Sequence, residues 1–177
     1  MNDLKGKKVA MIIASKNFRD EEYLQPKDVL SKAGAEIVTV SSTLDQCTGI
    51  LGAKVKPDVL ISEMKASEYD AVIFVGGHGS SEYWDSAVAH KIVKDTVSHK
   101  KILAAICIAP STLANAGVIQ GKNATAFPSV SSHMESKGAK YTGKPVEQDG
   151  KIITGYGPEA ALEFGEAVKR LLMMNRH

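Results

Sequence analysis

The stretch Lys101-Ile102-Leu103-Ala104-Ala105-Ile106-Cys107-Ile108-Ala109-Pro110 runs an apolar, strand-like segment into a cysteine and a helix-like segment out of it. Small residues, Ala105 and Ala109, stand two positions before and two positions after Cys107. A nucleophile elbow has this layout, with alanine in the places usually held by glycine: a sharp strand-to-helix turn lifts the nucleophile from the sheet, and bulky neighbours would collide. A thiol there faces unpaired backbone N–H groups and the positive end of a helix dipole, which favour a thiolate. Against this, a free cysteine often serves only as a small buried hydrophobe. Partners have to decide between the two readings. One candidate is Glu22, in the run Asp20-Glu21-Glu22 that opens a helix. Carboxylates belong at helix starts for dipole reasons alone. If Glu22 reaches the thiol instead, two adjacent anions are disfavoured, the pair shares one proton, and it can carry that proton to and from a substrate. The second candidate is the turn Gly76-Gly77-His78-Gly79. Its glycines permit close backbone approach, and the N–H groups of Gly77 and Ile108 could converge as an oxyanion hole. A phosphate cradle ranks low because neither GxGxxG nor GxxxxGK[ST] is present; a plain tight turn is the remaining alternative.

These residues need a sheet to hold them. Lys7–Ala14, Glu36–Ser41, Asp70–Val75, Lys100–Ile106, the short Ala124–Phe127 and Lys151–Thr154 read as strands, the central ones nearly continuous in apolar character. Helices are expected over Glu21–Ala33, Ser86–His99, Ser111–Ala116, Ser129–Lys137 and Pro158–Met174, with Tyr23, Leu24, Val29 and Leu30 facing inward in the first and Leu162, Phe164, Val168 and Leu171 in the last. Thr48–Pro57, with Gly49 and Gly52, is less regular and suggests a small hairpin or an excursion. Alternating strands and helices with apolar central strands predict a doubly wound α/β domain, a parallel sheet covered by helices on both faces, in a single domain over 1–177. In such sheets ligands bind beyond the carboxyl ends of the strands, where the loop to Glu22, the GGHG turn and Cys107 all fall.

Composition removes several function classes. Hydrophobic residues are 44% and charged residues 24% of 177, and Lys+Arg 22 against Asp+Glu 20 leaves a net charge of +2, too small to suggest nucleic acid or an anionic membrane as partner. Lys5, Lys7 and Lys8 are the densest basic group and read as a solvated chain end. No secretory h-region and no apolar run of about 18 residues stand out, and Cys47 and Cys107 without a secretory mark suggest reduced thiols in a cytoplasmic protein. His78, His90, His99, His133 and His177 form no metal-ligand spacing with each other or the cysteines, so no metal and no cofactor are expected.

Taken together, Phe18-Arg19-Asp20-Glu21-Glu22-Tyr23-Leu24-Gln25-Pro26, Tyr69-Asp70-Ala71-Val72-Ile73-Phe74-Val75-Gly76-Gly77, Ala104-Ala105-Ile106-Cys107-Ile108-Ala109-Pro110 and Asp149-Gly150-Lys151-Ile152-Ile153-Thr154-Gly155 resemble the DJ-one/ThiJ/PfpI superfamily over nearly the whole chain. The resemblance implies a flavodoxin-like α/β/α sandwich with a mostly parallel, doubly wound sheet, Cys107 as reactive thiol, Glu22 as its hydrogen-bond partner, the backbone of Gly77 and Ile108 as oxyanion site, and a homodimer or higher homo-oligomer. Three departures stand out. Protease-like members have histidine directly after the nucleophile, where this chain has Ile108; glyoxalase and deglycase members have histidine in the short strand before proline, where it has Phe127; and an arginine expected near Thr154-Gly155 is replaced by Tyr156. His78 is then the leading substitute helper, with His133 and Tyr156 behind it, and Cys47 reads as a buried or edge thiol. The expected function is a cysteine-nucleophile enzyme acting on a small carbonyl compound or on an acyl or amide bond. The alternative is a redox-sensing or stress-protective protein whose Cys107 oxidises to sulfinate.

Overall fold

A computed structural model of the chain describes residues 3–175; His177, one of the five histidines, lies outside them. In chain order the elements are β1 (Lys8–Ile12), β2 (Lys16–Phe18), α1 (Asp20–Lys32), β3 (Glu36–Ser41), β4 (Cys47–Gly49), β5 (Lys54–Val55), β6 (Val59–Leu60), β7 (Ala71–Phe74), α2 (Ala87–Ser98), β8 (Ile102–Ile106), α3 (Pro110–Asn115), β9 (Asn123–Ala124), α4 (Ser131–Ser136), β10 (Lys140–Tyr141), β11 (Val146–Asp149), β12 (Ile152–Gly155) and α5 (Ala161–Met174). Seven strands form the central sheet in the order β11-β12-β8-β7-β1-β3-β6. Neighbours run parallel except β11, which is antiparallel to β12. The chain leaves β1 toward β3 and later returns to β7 on the other side, so the strand order reverses at β1 and opens a crevice at the carboxyl ends.

Strand alternation builds both faces of the core. In β1, Val9 and Met11 join Tyr23 and Leu30 of α1 and Phe164 and Val168 of α5. Ala10 and Ile12 point the other way, to Ile92 and Val93 of α2, Leu113 of α3 and Met134 of α4. Helices α1 and α5 approach closely because Gly165 has no side chain at their contact; a Cβ there would lie 2.9 Å from the Cα of Pro26. Gly165→Val is therefore expected to destabilise the fold by about 1–3 kcal/mol, the usual cost of overpacking a filled core, as measured by urea unfolding.

The doubly wound architecture and the hairpin after β3 match the sequence expectation, the hairpin as β4 against β5. Two inward assignments do not. Leu24 is 47% and Leu162 55% exposed. Helix α1 turns Tyr23, Pro26 and Leu30 to the sheet, and α5 turns Ala161, Phe164, Gly165 and Val168; a residue one step along a helix from the buried stripe is rotated off it. The strand expected over 124–127 pairs only at Asn123–Ala124. β11 was not anticipated: Val146-Glu147-Gln148-Asp149 has no apolar run, as suits an edge strand paired on one side.

Candidate functional site

Three loops meet at the carboxyl ends of β1, β7 and β8, which lie side by side in the sheet. The connection from β1 to α1 is fastened to the turn after β7, with the Arg19 N–H donating to the Gly76 carbonyl at 2.9 Å. This brings the first turn of α1 over the glycines. Its three carboxylates then separate into three tasks. Asp20, buried, accepts from the N–H groups of Leu51 and Ala53, each at 2.8 Å, and holds the loop after β4. Glu21 pairs with Arg19, Nε to Oε1 at 2.8 Å and Nη2 to Oε2 at 3.1 Å. Glu22, fully buried, faces Cys107.

Cys107 sits directly after β8 with φ of +66°. Few non-glycine residues take this left-handed conformation, and holding one there requires support from its surroundings. The support is backbone: the Cys107 N–H donates to Gly155 at the end of β12 (2.9 Å), and the Cys107 carbonyl accepts from the Phe127 N–H (2.8 Å). The second bond orients the Cys107–Ile108 peptide so that its N–H faces back toward the sulfur, where the Gly77 N–H joins it. Both N–H groups favour a thiolate. Gly77 has φ of +98°, and a Cβ there would overlap the backbone of Arg19. At Gly76 a Cβ would overlap Glu22 Oε1 and lie 2.6 Å from Cys107 Cβ, so only glycine leaves the carboxyl and thiol free to approach.

The electrostatics of this pair differ from the simple expectation of a helix-stabilised thiolate. α3 begins only at Pro110 and is six residues long, so it is the N–H groups of Gly77 and Ile108, rather than a helix dipole, that act on the sulfur. Burial pushes the Glu22 carboxyl up to about 8, against the pull of the Cys107 thiol, Arg19 and the Gly76 N–H. Burial, and then the Glu22 charge, push the Cys107 thiol up to about 12. The second of these causes vanishes when Glu22 holds a proton. Two buried acids in contact therefore behave as a dyad: the first proton leaves with difficulty, and the single charge that results is shared between oxygen and sulfur. Neither Glu22 oxygen has a partner of good hydrogen-bond geometry among the described residues, the Cys107 sulfur included.

Above Cys107 lies a cleft of about 300 Å³ lined by Arg19, Ile50, Gly77, His78, Cys107, Ile108, Phe127, Ser129 and Pro158. Cys107, Gly77, Ile108 and Glu22 are thus brought together as expected. His78 reaches the same cleft at its exposed rim and makes no side-chain hydrogen bond to Cys107 or Glu22. His133 does not line the cleft; its ring is bonded to Ser111 and Asn115. Tyr156 lines a neighbouring cleft with Pro145 and Glu159 and lies 6.1 Å, ring to ring, from Phe127. Cys47 is fully buried, its thiol on Ser41 Oγ at 3.5 Å. The sequence gives no role to Arg19, the one Lys or Arg side chain that lines the cleft among the described residues, nor to Ile50; the Asp20 clamp on the 51–53 backbone brings that loop to the site. Among the described residues no group of three or more His, Cys, Asp or Glu side chains is placed to hold a metal ion, and no helix is long and apolar enough to cross a membrane.

Residues 7–171 match the family model described as the DJ-1/PfpI family. An uncharacterized protein of Methanocaldococcus jannaschii is 38% identical over 98% of this chain and 86% of that one. The crystal structure of a ThiJ/PfpI domain protein from Brachyspira murdochii superimposes with a TM-score of 0.92 at 32% identity, covering 95% of this chain and 97% of that chain. Among relatives whose names state an activity are a deglycase of Pyrococcus abyssi (28% identical; 84% of this chain, 89% of that one) and a glutathione-independent glyoxalase of Caenorhabditis elegans (27%; 89% and 84%). A cysteine protease-like protein of Bacillus subtilis is 29% identical over 94% of this chain and 99% of that one.

Proposed function

The chain belongs to the DJ-1/PfpI family, and on that footing we propose that it is a cysteine-nucleophile enzyme for small carbonyl compounds, of glyoxalase or deglycase type. The observation that carries this reading is the Glu22–Cys107 contact beneath a small cleft whose walls, Ile50, Ile108, Phe127 and Pro158, are largely apolar. A 2-oxoaldehyde suits that space better than a polypeptide, which makes the protease-like alternative the weaker one. Cys107 as thiolate adds to the aldehyde carbon, and the N–H groups of Gly77 and Ile108 turn from sulfur to the new oxyanion. Glu22 delivers the shared proton to that oxygen and, now a carboxylate, takes the hydrogen from the same carbon. Returning it to the neighbouring carbon, while the hydroxyl proton passes from the first oxygen to that carbon's oxygen, leaves a 2-hydroxy thioester, which water hydrolyses to a 2-hydroxy acid and the free thiol. Because Ile108 and Phe127, and no histidine, stand beside Cys107, Glu22 does the proton work at carbon, and His78 at the rim is assigned to the hydrolytic water. The catalytic set is Cys107, Glu22 and His78. Small-molecule substrates and a homodimer or higher homo-oligomer in the cytoplasm complete the proposal. Incubation of the chain with methylglyoxal should release lactate; a chain with free thiols that yields none, at a pH where Cys107 of a separate sample reacts with an alkylating agent, would overturn the reading.

One observation favours a second reading. The buried Glu22 carboxyl, without a well-placed partner among the described residues, is positioned to donate to an oxygen on sulfur. Two equivalents of hydrogen peroxide would convert the Cys107 thiolate to sulfinate with release of two waters, and Glu22 would hold that anion as part of a redox sensor. Mass analysis after mild peroxide treatment separates the readings: a protein that turns over methylglyoxal but gains no oxygen at Cys107 excludes the sensor.

A further inference from the structure

We propose that Trp84 is a positioning residue for the reactive turn, acting through the carbonyl of Ile108. The proposal rests on the reading that Cys107 is the reactive thiol. The Trp84 Nε1–H donates to the Ile108 carbonyl at 3.0 Å, beside the Ser111 N–H at 3.2 Å. Apart from the Cys107 sulfur itself, this indole is the one side chain among the described residues that bonds the backbone of residues 106–109. It therefore fixes the peptide that follows Ile108, as the Phe127 N–H fixes the one that precedes it. Between them these bonds determine where the Ile108 N–H points, and that N–H is half of the pair acting on sulfur.

Trp84 is itself held from three sides. Its carbonyl accepts from Asn115 Nδ2 (3.0 Å) and is bonded to His90 Nε2 (2.7 Å), and its ring stacks on His133 at 6.4 Å with 28° between planes. Asn115 Nδ2 also donates to Asp85 Oδ1, at 3.1 Å. The amide is thereby oriented with Oδ1 toward His133 Nε2, 2.8 Å away, so Nε2 carries the hydrogen. In the neutral ring Nδ1 then accepts from Ser111 Oγ, at 2.9 Å. Ser111 is fully buried and closes the circuit through its own N–H on Ile108. Ser111, His133 and Asn115 thus resemble a serine triad in composition, but a serine with no exposed surface is not a nucleophile; here the three brace the indole. A non-glycine residue at φ of +66° gives such bracing a purpose, since the turn does not hold itself.

Trp84→Phe keeps the stacking ring and removes the N–H. We expect the variant to remain folded by circular dichroism and the alkylation profile of Cys107 to move to higher pH, with the rate at pH 7 lowered about threefold or more, the effect of weakening one hydrogen bond to the thiolate. A folded variant whose profile overlays that of the parent overturns the proposal. Alkylation needs no turnover, so this failure differs from that of the proposed function, in which the parent Cys107 is itself inert or lactate is absent. Should Trp84→Phe fail to fold, the unsubstituted chain decides. It has one tryptophan, hence one indole N–H resonance, which must shift when Cys107 is carboxymethylated; an unmoved resonance contradicts the coupling.

Discussion

Replacing Cys107 with alanine is expected to lower conversion of methylglyoxal to lactate by a factor on the order of 10³ or more, with the fold intact. Alanine keeps the Cβ that already occupies the left-handed turn, so the backbone bonds to Gly155 and Phe127 are undisturbed. What is lost is the thiol that forms the covalent adduct in the proposed reaction. Cys47→Ala should leave turnover near that of the parent, because Cys47 is buried beside Ser41 and does not line the cleft. Lactate assayed enzymatically across the three proteins checks both statements. A Cys107→Ala chain with undiminished turnover would mean that the chemistry lies elsewhere.

Glu22→Gln is expected to separate the nucleophile from the proton carrier. Glutamine fills the same space and can still donate an N–H to sulfur, but it cannot accept or release a proton. The charge that holds the Cys107 thiol up disappears, leaving burial opposed by the Gly77 and Ile108 N–H groups. Cys107 should therefore remain alkylatable, and its ionisation should fall below that in the presence of the Glu22 anion. Turnover should fall about 10²- to 10⁴-fold, the usual weight of a general acid–base group. Stability supplies an independent sign. The folded Glu22 holds its proton up to about 8, above the ordinary carboxyl value of 4.5, so the unfolded chain releases that proton first. Its contribution to stability is complete below about pH 4.5 and is lost as pH rises toward 8. The Glu22→Gln chain lacks this loss and should gain in stability relative to the parent between pH 5 and pH 8, as read by urea unfolding at the two pH values.

How much of this could be read before the fold was known follows from how far apart the cooperating residues lie. Cys107 announced itself through a local pattern, an apolar strand ending between two alanines. Gly76 and Gly77 did so through a strand ending in consecutive glycines. Their meeting required only that β7 and β8 be parallel neighbours, which the alternation of elements implied. Glu22 is harder, since Asp20, Glu21 and Glu22 look alike at a helix start; the Leu51 and Ala53 N–H groups, Arg19, and the Gly76–Cys107 turn sort them into three environments, and of these only the Arg19 pairing is local in sequence. The ionisation of the thiol was misjudged because a helix N-terminus was expected at Cys107, whereas α3 begins three residues later and burial dominates. Arg19 and Ile50 gave no local sign of their position, and the bracing of Trp84 by Asn115, His133 and Ser111 depends on rotamers and ring tautomers that spacing does not encode.

The central claim is that Cys107 and Glu22 titrate as one dyad, and it is tested most directly by carboxymethylation of the folded chain between pH 5 and pH 11, with Cys107 and Cys47 resolved by mass. The dyad predicts that Cys107 is modified while Cys47 is protected, with a rate that rises through a step near pH 8 as the pair loses its first proton, well before a thiol held at about 12 by burial and a separate Glu22 charge would ionise. A Cys107 that stays unreactive across this range, or a Cys47 modified ahead of it, would contradict the account.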